Sequence, residues 1–328
     1  MRTKESLRIE DGIYGEFGVD TPVLVDLIKS PPLQRIKRIN QFGIPDEFYH
    51  RRNFSRYDHC VGVMLLLRSL GASDEEQAAG LLHDVSHMAF SHVYDWVIED
   101  HTDSGPKKEE AQDNGHFDFI QQSEIPQILA SHGLSVDRIT DYHHFTLLEA
   151  DLPALCADRV DYSLRELPLV QAREIFGGLT VSNGRIVCKD LETAAKFGRA
   201  FLGLQREHWG GYEAVARYTY FSTALRAALE AGIIRQADFL TDDERITSKL
   251  KQSSNGLVSR TLQILRENPL RHRSGQSSTL YKKFRFIDPP FIAADGLTRL
   301  TGVDSEFRQL LDVAREENKR GVIVPNLI

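Results

Sequence analysis

The stretch Leu81-Leu82-His83-Asp84-Val85-Ser86-His87 sets a His-Asp pair directly after an apolar helical run. An imidazole and a carboxylate on adjacent residues cannot both face a core, so at least one answers something other than packing. A metal ion is the economical answer. The dipeptide alone is a weak signal. His59, in Arg56-Tyr57-Asp58-His59, and Asp158, in Ala157-Asp158-Arg159-Val160-Asp161-Tyr162, strengthen it.

On both sides of the pair the pattern is helical. From His59 onward Val61, Val63, Met64, Leu65, Leu66, Leu67 and Leu70 are apolar nearly all round, as in a helix buried within a bundle. Ser73-Asp74-Glu75-Glu76 is a capping-box start, and Ala78, Ala79, Leu81 and Leu82 carry the next helix toward His83. An antiparallel pairing of helices 59–70 and 75–84 brings His59 to the His-Asp pair. Downstream, a helix over about 153–167 puts Asp158, Asp161, Tyr162 and Glu166 on one face. Upstream, residues 7–20 read as a short hairpin, and Thr21-Pro22 and Ser30-Pro31 each open a helix, the second running into Gln41-Phe42-Gly43.

Farther along, residues 101–115 are polar and breaker-rich and read as a mobile loop, with helices resuming at 116–132. Asn183-Gly184 sits in the clearest hairpin, 179–187, where it supplies a type I′ turn. Long helices follow over roughly 190–209 and 211–232, then one after the capping box Thr241-Asp242-Asp243-Glu244. A loop at 268–279, a strand at 280–287 broken by Pro289-Pro290, an amphipathic helix at 304–319 and a last strand at 322–324 complete the reading. The pattern predicts a mostly α-helical bundle with a few small peripheral β-hairpins. Residues 1–250 form its main unit and 251–328 a C-terminal α/β extension packed on it.

Composition narrows the function classes. With 41% hydrophobic and 27% charged residues the chain reads as ordinary globular protein. No apolar run approaches the roughly 20 residues that span a bilayer, and Met1-Arg2-Thr3-Lys4-Glu5-Ser6 lacks an apolar signal core. A cytoplasmic protein, off the membrane, is the expectation. Three cysteines, Cys60, Cys156 and Cys188, form no disulfide framework and favour a reducing compartment. A net charge of -7 gives no basic field for non-specific nucleic-acid binding. Local clusters survive the average: Arg35, Lys37 and Arg38, then Arg51, Arg52 and Arg56, flank His59 and are placed to hold phosphate, whereas Arg271, His272 and Arg273 read as a solvated face.

His59, His83, Asp84 and Asp158 would supply two nitrogens and two or more oxygens from three helices. Two neutral imidazoles and two carboxylates neutralise a divalent cation while leaving it Lewis-acidic, and such a set suits Mn, Fe, Zn, Co, Ni or Mg. One ion is expected, with a second left open. The competing reading makes His83 a hydrogen-bonded core residue and Asp84 a helix-end residue. More imidazoles gather here than a core needs: His87, His92, then Asp95, and His116 after the loop. Histidines tuned near neutrality supply hydrogen bonds and protons to a phosphate under attack. Arg56 and Arg159, each near a ligand, are candidates for bidentate phosphate clamps. No Gly-rich phosphate loop is present, which argues against a P-loop or dinucleotide fold.

Several ordered blocks carry a family likeness. Gly12-Ile13-Tyr14-Gly15, Pro32-Leu33-Gln34-Arg35, Gln41-Phe42-Gly43, Ser55 through Val63, and Ala79 through His92 together resemble the HD-domain phosphohydrolases, and among them most the deoxynucleoside triphosphate triphosphohydrolase branch. The likeness spans residues 7 to about 96, recurs at 157–166 and continues loosely to near 250. It implies that His59, His83, Asp84 and Asp158 hold the metal. By the same resemblance His87, His92, Asp95 and His116 surround the reacting phosphate, with His116 a candidate acid or base. Arg56 and Arg159 would hold phosphates, Gln41 and Phe42 would meet the sugar and base, and Tyr162 would stack under the sugar and exclude a 2′-hydroxyl. The family releases whole triphosphate from a nucleotide and often forms dimers or tetramers.

The chain also departs from that pattern. Glu166 stands where the family has an Asp on the sugar 3′-hydroxyl, and Phe117 stands where a Glu follows the histidine equivalent to His116. In the stretch His208-Trp209-Gly210-Gly211-Tyr212, His208 and Tyr212 fit as substrate contacts, but the paired arginines of the triphosphate clamp are missing. Two rivals therefore stand beside a triphosphohydrolase: an HD-type phosphatase for nucleoside monophosphates or other small phosphate esters, and a nucleotide-binding module with a vestigial metal site.

Overall fold

Ser55 starts the helix on which the site depends. Its hydroxyl accepts from the Asp58 amide, while the Asp58 carboxylate accepts from the Ser55 amide. This reciprocal cap opens the helix at Arg56–Ser69, three residues before the expected start, and leaves His59 inside its first turn. Ser73 caps the Asp74–Leu82 helix, whose C-cap is His83. The two helices lie against each other, and Gly80 permits the approach: a Cβ there would come within 2.6 Å of Leu67 Cδ1. The Ala157–Leu164 helix crosses the first helix at Gly62, where a Cβ would lie 2.1 Å from both Asp161 Oδ1 and an Arg165 nitrogen.

The computed structural model describes residues 6–98, 111–271 and 275–327. Among these the chain is mostly α-helical, with two two-stranded sheets and one of four strands. None of the described helices is long and apolar enough to cross a membrane. Two apolar clusters divide the interior. One surrounds the Arg56–Ser69 helix and includes Val63, Met64, Leu66, Leu81, Leu82, Val160 and Leu164. The other surrounds the Tyr212–Glu230 helix and joins Phe48, Phe90, Val215, Phe221, Phe239 and Leu262. The segment from His83 to His92 passes from the first cluster to the second, with Val85 in one and Ala89 and Phe90 in the other. Its polar side chains therefore stand at a seam between two cores.

Several boundaries differ from the sequence reading. The helix expected over 153–167 is Ala157–Leu164, and the one opened by Ser30 is a short Pro31–Arg35 turn followed by the 3-10 turn Ile36–Arg38. After Leu204 the helix widens into a π turn, Gln205–Trp209. The segment after Thr241 forms two helices, Asp243–Gln252 and Gly256–Leu265, the second capped by Asn255 Oδ1 and packed on Tyr212–Glu230. The strand expected at 280–287 is instead Ser277–Leu280, paired antiparallel with Val322–Pro325. Beyond it Arg285 N donates to Gln205 Oε1 and Asp288 N to Pro153 O, so the chain is tied to core elements rather than to a ladder.

The hairpins at Leu7–Asp11 with Gly15–Val19, and at Leu179–Ser182 with Arg185–Cys188, are as expected. Asn183 and Gly184, at φ 51° and 69°, have the positive values that a type I′ turn demands. Pro290–Ala293 joins the second hairpin in a parallel contact with Arg185–Cys188. Of the loop expected at 101–115, residues through 110 lie outside the described residues, and the Ala111–Gln121 helix begins before 116.

Candidate metal centre and active site

The four expected ligands converge. His59 Nε2 lies 3.0 Å from Asp158 Oδ1, 3.2 Å from His83 Nε2 and 3.8 Å from Asp84 Oδ2. His83 Nε2 is 3.6 Å from Asp158 Oδ1 and 3.8 Å from Asp84 Oδ2. Metal–ligand bonds of about 2.0–2.2 Å put neighbouring donors roughly 3 Å apart or a little more, so the group His59, His83 and Asp84 suits one divalent ion, with Asp158 approaching it along the two imidazoles. Both imidazoles have their other nitrogen engaged. His59 Nδ1 is 2.7 Å from Asp161 Oδ2, and His83 Nδ1 is 2.8 Å from the Gly80 carbonyl. Each Nδ1–H donating outward leaves an Nε2 lone pair facing the centre.

Electrostatics describe a site that waits for positive charge. Burial pushes the His59 imidazolium down, but Asp158 and Asp161 outweigh it and hold the group above its usual value. Against the same burial, Asp84 and Asp158 hold His83 well above. Burial raises Asp84, yet Arg56, His87 and His83 together bring it well below the carboxylate range. Asp158 is likewise lowered, by His59 and His83 against burial. These shared protons occupy the ground a cation would take, so metal binding would release them.

Asp161, which spacing alone puts on this face without a role, stands behind His59. It is fully buried and also accepts from the Tyr14 hydroxyl at 2.7 Å and Arg165 Nε at 3.0 Å. A carboxylate behind a metal-binding imidazole fixes its tautomer and raises its basicity. Asp161→Asn is expected to lower metal affinity by about 10- to 100-fold while leaving the helical circular dichroism unchanged. A chelator competition titration checks it, and unchanged affinity would remove Asp161 from this role.

Beyond Asp84, His87 Nε2 is 3.3 Å from Asp84 Oδ1, the rings of His87 and His92 are 5.1 Å apart, and His92 Nδ1 is 3.3 Å from Asp95 Oδ2. Burial and then Arg56 depress His87 to about 3, and burial and then His83 depress His116 to about 4. Both are neutral imidazoles at physiological pH. Arg56, buried, donates to Asp84 Oδ2 and, at 3.0 Å, to Ser91 Oγ. Ser86 and Tyr142, neither singled out from the sequence, each sit 2.8 Å from a ring nitrogen of His116.

Two expected substrate contacts are committed elsewhere. The Arg159 guanidinium donates to the carbonyls of Ala154 at 2.6 Å and Ala150 at 3.2 Å and contacts Cys156 Sγ at 3.2 Å, turned away from an open clamp position. Glu166 accepts from Arg51 at 2.8 Å, from Trp209 Nε1 at 2.7 Å and from His208 Nδ1, bracing the π turn instead of standing open for a sugar. Phe42 meets His208 and Phe54 edge-on at 5.6 and 5.8 Å, and Tyr162 meets Trp209 at 5.4 Å. Tyr212 packs on the same cluster as Phe42, and Gln41 Oε1 is buried without a hydrogen-bond partner among the described residues. Glu149, Cys156 and Asp158 also converge, but the Arg159 guanidinium lies against that group and burial keeps the Cys156 thiol protonated, which suits a second cation poorly.

An HD domain model matches residues 56–166, the span from Arg56 through Asp158 to Glu166. The uncharacterized protein YdhJ of Bacillus subtilis is 36% identical over 97% of this chain and 98% of its own length. The metal-dependent phosphohydrolase cns2 of Cordyceps militaris is 30% identical over 87% of this chain and 84% of its own. A phosphohydrolase from Bacteroides thetaiotaomicron has the same fold, with a TM-score of 0.66 at 17% identity over 92% of this chain and 95% of that one. With a near full-length metal-dependent phosphohydrolase among its relatives and the His and Asp donors gathered on the matched helices, the chain belongs to the HD-domain metal-dependent phosphohydrolases.

Proposed function

We propose that the chain removes a single phosphate from a phosphate ester, with nucleoside monophosphates as the substrate class, using one divalent ion held by His59, His83, Asp84 and Asp158. The supply of cations carries this reading. Arg56 lies against the ligand Asp84 with His87 beside it, which suits one phosphate. The Arg159 guanidinium is taken up by the Ala150 and Ala154 carbonyls, and residues 208–212 contain no arginine to hold a second or third phosphate.

When bound, a divalent ion lowers the pKa of a water and polarises a phosphoryl oxygen. The chain's own residues bind and orient. Arg56, with Nε and one terminal nitrogen held by Ser91 and Asp84, keeps a guanidinium charge beside the metal centre for the phosphate oxygens, and His87 and His92 add N–H donors. Phe42, Tyr162, His208 and Tyr212 offer aromatic surface for the base and sugar.

Release of whole triphosphate from a deoxynucleoside triphosphate is the second reading, favoured by the ordered sequence blocks that resemble that branch and by Phe42 standing against His208. A screen of nucleoside mono-, di- and triphosphates with Mn²⁺, Fe²⁺, Co²⁺, Ni²⁺ and Mg²⁺, reading the phosphate species that leaves, separates the two. Inorganic phosphate from monophosphates is the expected product. Triphosphate as the product would replace the first reading by the second, and binding without turnover of any phosphate ester would sink both.

A further inference from the structure

Arg35 belongs to a basic cluster that the sequence places near His59 to hold phosphate, yet its side chain is taken up by the protein itself. One terminal nitrogen donates to the carbonyls of Val85 at 2.8 Å and His87 at 2.7 Å. The other donates to the carbonyl of Thr241 at 3.1 Å and, at 3.4 Å, to that of Leu240. A guanidinium only donates and a carbonyl only accepts, so the sense of all four bonds is fixed. The group also stands over the Phe119 ring, 5.0 Å from its centroid. Its Nε is buried with no hydrogen-bond partner among the described residues, so the two ends and the ring face set where the group sits.

Its partners border the candidate site. Val85 and His87 flank Ser86 directly after Asp84; Ser86 Oγ is 2.8 Å from His116 Nδ1, and His87 Nε2 is 3.3 Å from Asp84 Oδ1. Phe119 follows His116 by three residues on the Ala111–Gln121 helix and shares its side of that helix. Leu240 and Thr241 belong to a segment that holds the same turn at two further points. Ala89 N donates to Phe239 O at 2.8 Å, and Phe90 N to Asp243 Oδ1 at 2.7 Å. This segment lies outside the matched span 56–166.

We infer that Arg35 is a positioning residue: its fork clasps residues 239–243 to the His83–His92 turn, its face seats the helix of His116, and together these set where His87 and His116 stand relative to Asp84. The inference rests on the phosphohydrolase reading for its effect on turnover and on these contacts for its geometry. Lysine keeps the charge and loses the fork, since one ammonium cannot serve carbonyl pairs at both ends of a guanidinium. Arg35 touches none of the four expected ligands, so loosening the clasp leaves the metal donors in place and moves the groups around them. A misplacement of about 1 Å near the reacting atoms costs roughly 100-fold in rate.

The test compares the full chain with Arg35→Lys and Arg35→Ala, using the phosphate ester that the wild type turns over fastest. Arg35→Lys is expected to lower kcat by about 10- to 100-fold, with KM, metal content and helical circular dichroism unchanged. Added methylguanidinium should restore part of the rate to Arg35→Ala and none to Arg35→Lys, whose side chain fills the place. Ring spectra of ¹³C-labelled histidine read the geometry without substrate. The His87 and His116 signals, assigned by their absence in His87→Gln and His116→Gln, should shift in Arg35→Lys, while that of His132, paired with Asp26, stays. Wild-type kcat in Arg35→Lys overturns the inference, as do unmoved His87 and His116 signals or a loss of rate that comes with loss of metal. A wild type that hydrolyses no phosphate ester would sink the functional reading, and the histidine spectra alone would then decide the role of Arg35.

Discussion

Replacing His83 with alanine is expected to abolish bound metal and, with it, phosphate-ester hydrolysis. The expected loss is roughly 10⁴-fold in rate, since Lewis-acid and water-activating terms together supply several kcal/mol. Asp84→Ala should be as inactive but for a mixed reason. Asp84 faces both histidines, ion-pairs with Arg56 and contacts His87. Removing it leaves the Arg56 guanidinium, only 3% exposed, with the Ser91 hydroxyl as its remaining side-chain partner. An uncompensated buried charge costs about 3–5 kcal/mol, enough to unfold a marginal protein. His83→Ala leaves the Arg56–Asp84 pair intact and takes away one nitrogen of the donor set, the other ring nitrogen lying 2.8 Å from the Gly80 carbonyl. The pair of variants thus separates metal loss from unfolding. The His83 variant should melt near the wild type and carry no metal, and the Asp84 variant should melt lower. Turnover persisting in metal-free His83→Ala would remove the proposed chemistry.

The convergence of His59, His83, Asp84 and Asp158 is legible in the sequence because these residues sit in the first or last turn of helices, or just past one, flanked by strong apolar periodicity. His59 and His83 end on the same side of two adjacent helices however the boundaries are drawn. Arg159 shows where adjacency misleads. Successive residues on a helix point about 100° apart, so Asp158 faces His59 and His83 while Arg159 reaches back to Ala150 and Ala154. Helical spacing assigns Glu166 to the Asp158 face, but the helix ends at Leu164, and two residues of turn carry its carboxylate to the π turn. Asp161, Ser86 and Tyr142 escape the sequence for another reason. Their roles exist only in pairs with His59 and His116, separated by 102, 30 and 26 residues, and nothing local marks either partner. Asp58 is visible as an acidic residue of the motif, but its bond to the Ser55 amide moves the helix start by three residues.

Between pH 5 and 8 the wild type is expected to lose about 3 kcal/mol of stability relative to Asp243→Asn. Asp243 is buried, and burial raises its carboxyl to about 7 even though the amides of Asn40 and Phe90 donate to it at 2.8 and 2.7 Å. Because the folded state holds this proton more tightly than the unfolded state, its contribution is fully present below the ordinary Asp pKa near 4. It is lost as pH rises toward the folded value, about 1.4 kcal/mol per unit, and roughly two units of that window lie between pH 5 and 7. The amide variant does not titrate, so the difference between the two unfolding free energies isolates this one group from the histidines and other carboxylates. Denaturant unfolding of both proteins at pH 5, 6, 7 and 8 reads it, and parallel curves would show that Asp243 ionises as an ordinary carboxylate. The location gives the result functional reach. Asp243 holds the amide of Phe90, which with Ser91 adopts positive φ, at 67° and 47°. Ser91 in turn accepts from Arg56 and donates to the Asn40 carbonyl. Charging Asp243 therefore loads the turn that seats the phosphate-side arginine. Any fall in activity that tracks this transition in the wild type should be absent from Asp243→Asn.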